Sequence, residues 1–493
     1  MKRTLCLILA MLMCLSVLVA CGTKSEEPAA TTTAELTNAS TEATTTAVTE
    51  EAEPIDPIAS RTLEDEVPEY NFNGAKFRTL VQTEQAHDIA VESQNGEMLN
   101  DAIYNRNLKI QERFNIVIES TTGVRKDIEK AITASVASGD DTYELVLQQM
   151  FQSCSSAVAG HFLDWHQIPH VDLSKPWYVS SVMEEGVGTI NGKAYLAVSD
   201  ILMSYVEKSA AMIYDQVAAA EYGITNVYEV VMAGKWTHEQ LNIWTQDIYQ
   251  DLNNNAQKDD KDFYGLVYIN SGCPFLASAY GYGVRFVEMN GDNVQMVLNS
   301  ERNIDVFDSI YTMLQKSGVY SFNDDNTTPQ TMMKNGQGVF ATMQLVYAKD
   351  VLNNTEHDCG VIPLPKWNEE QESYYSVADG GCNILAVMTT VKNLEMVGAV
   401  TEALSAESWR TVMPVLRDVT LGVKMARDPE CLEMIELVLN SRYIDFAYLY
   451  DNSEGWVFTI ADFIQAQGAF ASTYKRMEKP IQKYYEKVIR SIG

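Results

Sequence analysis

The chain has 493 residues with 36 Lys+Arg against 67 Asp+Glu, a formal net charge of −31, and 46% apolar residues. Nearly half the residues can enter a core, which excludes a wholly disordered chain. So large a negative excess repels phosphate backbones and no dense Lys/Arg cluster reverses it locally, so nucleic acid is not an expected partner.

Lys2 and Arg3 precede an apolar run from Leu5 to Val19 and the small residue Ala20, the arrangement of a secretory signal over residues 1–20. That run falls short of the roughly 20 residues a spanning helix needs. Leu18-Val19-Ala20-Cys21 resembles the lipobox of bacterial lipoproteins, which makes Cys21 the expected lipid-bearing N-terminus, with plain cleavage after Ala20 as the alternative. Residues 21–66 read as a lipid-anchored, disordered linker: Gly22 to Glu66 holds eleven Thr, eleven Asp/Glu and no aromatic side chain, too little apolar surface to offset ordering entropy. Residues 67–493 are too many for one core, so two lobes are expected.

Five cysteines remain beyond the signal and Cys21: Cys154, Cys273, Cys359, Cys382 and Cys431. They form no CxxC pair, so no zinc ribbon or thioredoxin-type site is encoded. An exported chain permits a Cys359–Cys382 disulfide, and buried free thiols are the simpler expectation.

Phe77 to Gln82 is β-prone, and Leu99, Ile103, Ile110 and Phe114 then mark one face of a helix. Asn115 to Glu119 is β-prone again, Ile128, Ile132 and Val136 mark a helix stopped by Gly139, and Tyr143 to Leu147 is a third strand. The order βαβαβ predicts a parallel, right-handed α/β sheet with ligands outside the carboxyl ends of its strands. Those ends are Gln82-Thr83-Glu84 and Gln148-Gln149-Met150.

Farther on, Thr237 to Gln240 fits a capping box with Trp236 and Leu241 as its hydrophobic staple, and the helix is expected to run through Trp244 and Ile248 to Leu252. Phe286 to Met289 and Val294 to Leu298 flank Asn290-Gly291-Asp292-Asn293 as a hairpin. Ile304, Phe307, Ile310 and Leu314 make a helix, and Gly338 to Met343 a strand ending at Gln344. Strand and helix alternate again from Val361 onward, through a β run at Asn383 to Met388. Ile460, Phe463, Phe470 and Tyr474 follow at helical spacing, with Pro480 expected to break that helix or begin another.

The clearest local motif is Asp251-x-Asn253-x-Asn255-x-Gln257-x-Asp259-x-x-Asp262. Oxygen side chains stand at positions 1, 3, 5, 9 and 12 of a twelve-residue loop, with the Gln257 carbonyl at position 7, and the pattern resembles an EF-hand-type calcium loop. Ala256 replaces the glycine of position 6, and Asp262 is shorter than the usual Glu; the same residues also describe a solvated polar turn. His161, His166 and His170 do not share a helix face and Pro169 interrupts them, so they read as separate histidines. No G-x-S-x-G, H-E-x-x-H, G-x-G-x-x-G or P-loop pattern occurs. Cleft candidates beyond the strand ends are Tyr282 between two glycines, Asp379 before Gly380-Gly381, and Trp456 after Gly455.

Several stretches in order carry a wider resemblance: GEMLNDAIYNRNLKIQERFNIVIE from Gly96, IPHVDLSKPW from Ile168, YEVVMAGKWTHEQL from Tyr228, the Asp251 loop into Tyr264-Gly265-Leu266, GVIPLP from Gly360 and SRYIDF from Ser441. With the lipobox and the Thr/Glu stalk, the chain resembles the extracellular solute-binding lipoproteins of bacterial ABC importers, carbohydrate-type family. The resemblance implies a two-lobed, type II periplasmic-binding-protein-like α/β fold with an interlobe cleft. It implies no enzymatic activity but delivery of a solute, most often a sugar or oligosaccharide, to an ABC permease, from a lipid anchor on the extracellular face of the membrane. The implied layout is 67–200 for the first part of lobe 1, 201–355 for the first part of lobe 2, 356–410 for the return to lobe 1, and 411–493 for C-terminal helices closing lobe 2 and the hinge. Ala194 to Val198 would cross between lobes, with Asp200 at the crossing and Gln344 near the return. The expected ligand set is Gln82, Glu84, Gln148, Gln149, Asp200, Tyr282, Gln344, Asp379 and Trp456, with Ca²⁺ as a structural ion. A surface-anchored carbohydrate-active enzyme, and a binder of peptides or cationic solutes, are the alternatives.

Overall fold

The computed structural model describes residues 61–270, 272–291, 293–322, 327–417, 429–451, 455–458 and 470–493. The signal, Cys21, the linker as far as residue 60, Asp292, Ile460 and Phe463 lie outside the described residues. Among those described, no helix is long and apolar enough to cross a membrane.

Strand β1 (Ala75–Gln82) buries Phe77, Leu80 and Val81, and the helix Met98–Phe114 buries the four residues its spacing marks. Asn115 caps that helix in the left-handed region at φ 48°, a conformation asparagine tolerates. Strand β2 (Ile116–Gly123) follows, then the helix Arg125–Ser138, which Gly139 ends at φ 73°. Strand β3 (Leu145–Gln149) starts two residues later than its sequence pattern suggests. Both β2 and β3 pair parallel with β1, on opposite sides, so strand order switches between β1 and β3.

A short hairpin, β4 (Thr189–Ile190) with β5 (Lys193–Ala194), precedes the passage to the second sheet. Ala197 then bridges Leu385 of the first sheet, so Ala194 to Val198 does not cross. The helix Met203–Glu207 intervenes, and the crossing falls at Lys208–Ala210, beyond Asp200 and the expected boundary at 200. Strands β6 (Ala210–Asp215), β7 (Tyr249–Gln250), β8 (Phe263–Ile269), the hairpin β9 (Val287–Asn290) and β10 (Asn293–Met296), β11 (Val319–Phe322), β12 (Gly338–Gln344) and β13 (Cys359–Ile362) come next. The second sheet has the order β11-β8-β12-β6-β13, with β7 beside β8. Within it β6 runs antiparallel to both neighbours. Because β13 belongs here, the second lobe continues past 355; β14 (Asn383–Ala386) then joins the first sheet, antiparallel to β3.

Trp236 is fully buried, stacked with Trp244 and Phe340, and the Thr237 hydroxyl accepts the Gln240 N–H as a cap. The helix it starts, His238–Thr245, ends earlier than expected and leaves Leu252 exposed. Its continuation is diverted because Gln246 and Ile248 offer their carbonyls to Gly318 and Gly265 of adjoining segments. The last helix, Phe470–Ile492, does not break at Pro480. Tyr474, Ile481, Tyr485, Val488, Ile489 and Ile492 are buried along it, enough to offset the ~3 kcal/mol an internal proline costs. All five cysteines after Cys21 are free thiols.

Residues 61–66, expected in the linker, are fixed to the body. Arg61 donates to the Trp409 carbonyl at 2.6 Å, Arg113 pairs with Asp65 at 2.7 Å and Lys175 with Glu66 at 3.1 Å.

Candidate functional site

Three chain segments meet where the sheets join. Ser209 bridges Ala378 antiparallel, with the Ala210 N–H donated to Val377 and the Asp379 N–H to Lys208. A third segment runs parallel beside them: Ser376 donates to the Ser441 carbonyl and accepts from the Tyr443 N–H. Paired backbone groups make this a narrow, three-stranded hinge between the two sheets.

Beside the hinge lies a pocket lined by Lys208, Ala210, Cys273, Thr342, Gln344 and Asp379, closed over by Leu364 and Tyr448. It opens at the carboxyl ends of β12 and β13, as the strand-end rule requires. Its open volume is ≈ 20 Å³, about the room one water needs, so in this arrangement it does not hold a sugar-sized solute.

Gln344 and Asp379 join directly: the Gln344 amide donates to Asp379 Oδ2 at 3.2 Å, while Gly381 N–H donates to Oδ1 at 2.7 Å. A Cβ at Gly381 would stand 2.8 Å from Asp379 Oδ1, 3.1 Å from Lys208 Nζ and 3.2 Å from Gln149 Nε2, so the missing side chain lets these polar atoms converge. Next to it, a Cβ at Gly380 would strike the Phe151 ring at 2.1 Å. Phe151 packs edge-on against Tyr448 and Phe458, which makes an aromatic wall; the Tyr448 hydroxyl accepts the Gly380 N–H and faces Cys273. Burial, and then the Asp379 charge, push the Cys273 thiol well above its usual range, so it stays protonated.

Of the sequence candidates, Gln149, Gln344 and Asp379 are gathered at this point. Gln82 and Gln148 lie at the carboxyl ends of β1 and β3, the same edge of the first sheet. The amide oxygens of Gln82, Gln149 and Gln344, both polar atoms of Gln148 and the Thr342 hydroxyl are buried with no hydrogen-bond partner among the described residues. Glu84 is exposed on the turn after β1. Asp200 is buried away from the pocket; burial, opposed by the Arg442 and Arg61 charges, pushes its carboxyl up to about 6. Tyr282 sits in the second lobe's interior between His238 and Trp367, at the far end of the helix Gly272–Gly281 from Cys273. Trp456 is packed between Phe286 and Tyr485 and donates to the Tyr485 hydroxyl. Neither ring reaches the pocket, because a glycine neighbour marks a turn and not a cleft.

Lys208, Cys273, Thr342 and Tyr448 line the pocket, and Phe151 packs behind Tyr448, but no sequence pattern singles them out. A lone Lys before the apolar strand Ala210–Asp215 is the one signal available.

In the loop from Asp251 to Asp262, Asp251 accepts the N–H groups of Asn255 and Ala256, and Ala256 has φ 60°. Asn253 and Asn255 donate their amides to Asp259, and Asp262 accepts the Leu252 N–H and the Tyr249 hydroxyl. No three His, Cys, Asp or Glu among the described residues gather closely enough to hold a metal by themselves; here carboxylates alternate with amides. His166 pairs with Asp164, His170 with Glu395, and His161 stands apart.

Two α/β lobes joined by a hinge with a pocket beside it define the fold of the two-lobed, type II solute-binding proteins. UgpB from Mycobacterium tuberculosis, solved with glycerophosphocholine, shares it at TM-score 0.54 and 14% identity, over 83% of this chain and 98% of that one. A cyclo/maltodextrin-binding protein solved with maltotetraose matches at TM-score 0.54 and 14% identity, over 85% and 98%. UspC from M. tuberculosis matches at TM-score 0.50 and 11% identity, over 84% and 100%. No protein-family model and no curated protein matches the sequence.

Proposed function

We propose that the chain is a non-enzymatic, lipid-anchored extracellular solute-binding protein that closes on a hydroxylated solute, a sugar or oligosaccharide, and delivers it to an ABC permease. The observation that carries the reading is the pair of buried amide oxygens of Gln149 and Gln344, which find no hydrogen-bond partner among the described residues beside the hinge. Such groups cost about 1–3 kcal/mol each unless something hydrogen-bonds them, and the hydroxyls of a sugar both donate and accept. Two proteins of this fold are described as bound to glycerophosphocholine and to maltotetraose, which agrees with a hydroxyl-bearing ligand.

Binding to both lobes makes the solute favour the closed arrangement. A thermal-shift screen over glycans should find a stabilising ligand, and small-angle scattering should record a smaller radius of gyration when it binds. A solute that is consumed instead of retained overturns the reading in favour of a carbohydrate-active enzyme. Anchorage rests on Leu18 to Cys21: Cys21→Ala should leave the membrane fraction or stay unprocessed.

The Asp251 to Asp262 loop fits Ca²⁺ by donor chemistry: Asp251, Asn253, Asn255, Asp259 and Asp262 with the Gln257 carbonyl would hold it once the two asparagine amides turn their oxygens inward. The ion would tie the loop's ends together. Addition of EGTA should then lower the melting temperature and Ca²⁺ restore it, an effect lost in Asp251→Ala.

A further inference from the structure

We infer that Lys208 selects, among hydroxylated solutes, those that carry an anionic group, a carboxylate or a phosphate. The inference rests on the pocket being the solute site. Lys208 and Asp379 are the charged side chains that line it, and they are not in the same condition. Both Asp379 oxygens are engaged, one by the Gly381 N–H and one by the Gln344 amide. Lys208 Nζ makes no hydrogen bond or ion pair with any described residue, although it points to the space over Gly381 that Gln149 also reaches.

An ammonium at the mouth of a nearly closed pocket needs an acceptor when water leaves. Asp379 does not meet that need, and the remaining acceptors at hand are the Gln149 and Gln344 amide oxygens, themselves suited to hydroxyl donors. The two demands are met together by one ligand: an oxyanion on Lys208 and hydroxyls on the two amides. Against a chain charge of −31, this cation supplies attraction for an anion at the pocket itself.

Calorimetry on the full chain with glucose, glucuronate and glucose 6-phosphate tests the inference. Glucuronate or glucose 6-phosphate should bind at least about tenfold more tightly than glucose, with the preference shrinking as NaCl is raised. Which of the two binds identifies the anion. Lys208→Met should weaken the two acids at least about tenfold more than it weakens glucose, removing the preference, and Lys208→Arg should restore part of it. Glucose binding as tightly as either acid, or Lys208→Met weakening all three equally, overturns the inference and leaves the pocket a sugar site. If none of the three binds and none of a wider glycan set does, the solute-site reading falls and the inference with it.

Discussion

Asp88 and Asp379 flank the same crossing segment, yet their surroundings differ in kind. The Asp88 carboxylate, fully buried, accepts from the Ser204 N–H at 2.8 Å, the Ser204 hydroxyl at 2.7 Å and the Asn383 amide at 2.8 Å. Its backbone carbonyl takes a guanidinium N–H of Arg106, which also bonds Ser408 and Asn107. Around Asp379 the amide oxygens of Gln149 and Gln344 and the Lys208 ammonium have no hydrogen-bond partner among the described residues. The Asp88 carboxylate is satisfied on both oxygens even though Asn383 Oδ1 beside it is not, and so fixes structure; around Asp379 several amide oxygens and an ammonium are left together, which holds open a place for another molecule.

The largest expected effect tests the first half of that contrast. Asp88→Ala strands the Ser204 N–H and hydroxyl and the Asn383 amide together and should lower the unfolding free energy by about 3 kcal/mol in a denaturant titration. Gln344→Ala and Gln149→Ala should change stability by no more than about 0.5 kcal/mol, because the amides they remove are already short of partners, yet each should weaken solute binding by about 1 kcal/mol or more. Equal destabilisation by Gln344→Ala and Asp88→Ala would erase the distinction between the two clusters.

The next effect is a slope with pH. Burial works against a charged His87, but its hydrogen bond to Glu207 and the charge of Asp88 outweigh that and lift it to about 9. Burial pushes Glu402 up to about 7 despite the Trp177 and Tyr178 hydrogen bonds, and Asp200 up to about 6. All three folded-state values are raised. Each therefore contributes stability that is complete below its unfolded value and is lost as pH climbs through the folded one. Melting temperature should fall from pH 5 to pH 9, and His87→Gln should flatten the segment between about 6.5 and 9 while sparing the acid side.

The first sheet was legible because each of its elements announces itself locally: apolar spacing, a left-handed Asn115 and Gly139, and strand ends rich in Gln. The second was legible strand by strand but not in its order, since β6 enters antiparallel between β12 and β13, and no short-range pattern encodes which neighbour a strand takes. The crossings were misplaced for a related reason. A five-residue helix and single bridges decide where the chain leaves one lobe, and these carry almost no periodicity. At the candidate site, the amide-tipped strand ends Gln149 and Gln344 lie beside the hinge, whereas the expected aromatics are packed in the interior. Trp456 and Tyr282 obey the general rule that large rings fill cores, whereas a Gln at a sheet's carboxyl edge has little to do there unless it meets a ligand.

The calcium-type loop is the hardest case for the contrast, because its polar groups already pair with one another as those around Asp88 do, which by that logic marks a structural turn. Its strain offers a small, separate measurement. Ala256 holds φ 60°, a conformation that costs an L-residue about 1–2 kcal/mol, and its N–H is tied to Asp251 at 2.8 Å, so the turn cannot relax freely. Ala256→Gly relieves that cost but gives back about 0.5–1 kcal/mol in unfolded-chain entropy. The net gain should be no more than about 1 kcal/mol, read as a shift of a degree or two in melting temperature for a chain of this size. Run with EGTA and with Ca²⁺, the same variant separates two outcomes. A gain that is equal in both means the loop is a self-satisfied turn and the contrast holds. A gain that grows with Ca²⁺ means that a cation displaces the Asn253 and Asn255 amides from Asp259, and that a cluster can be complete in itself and still be a binding site.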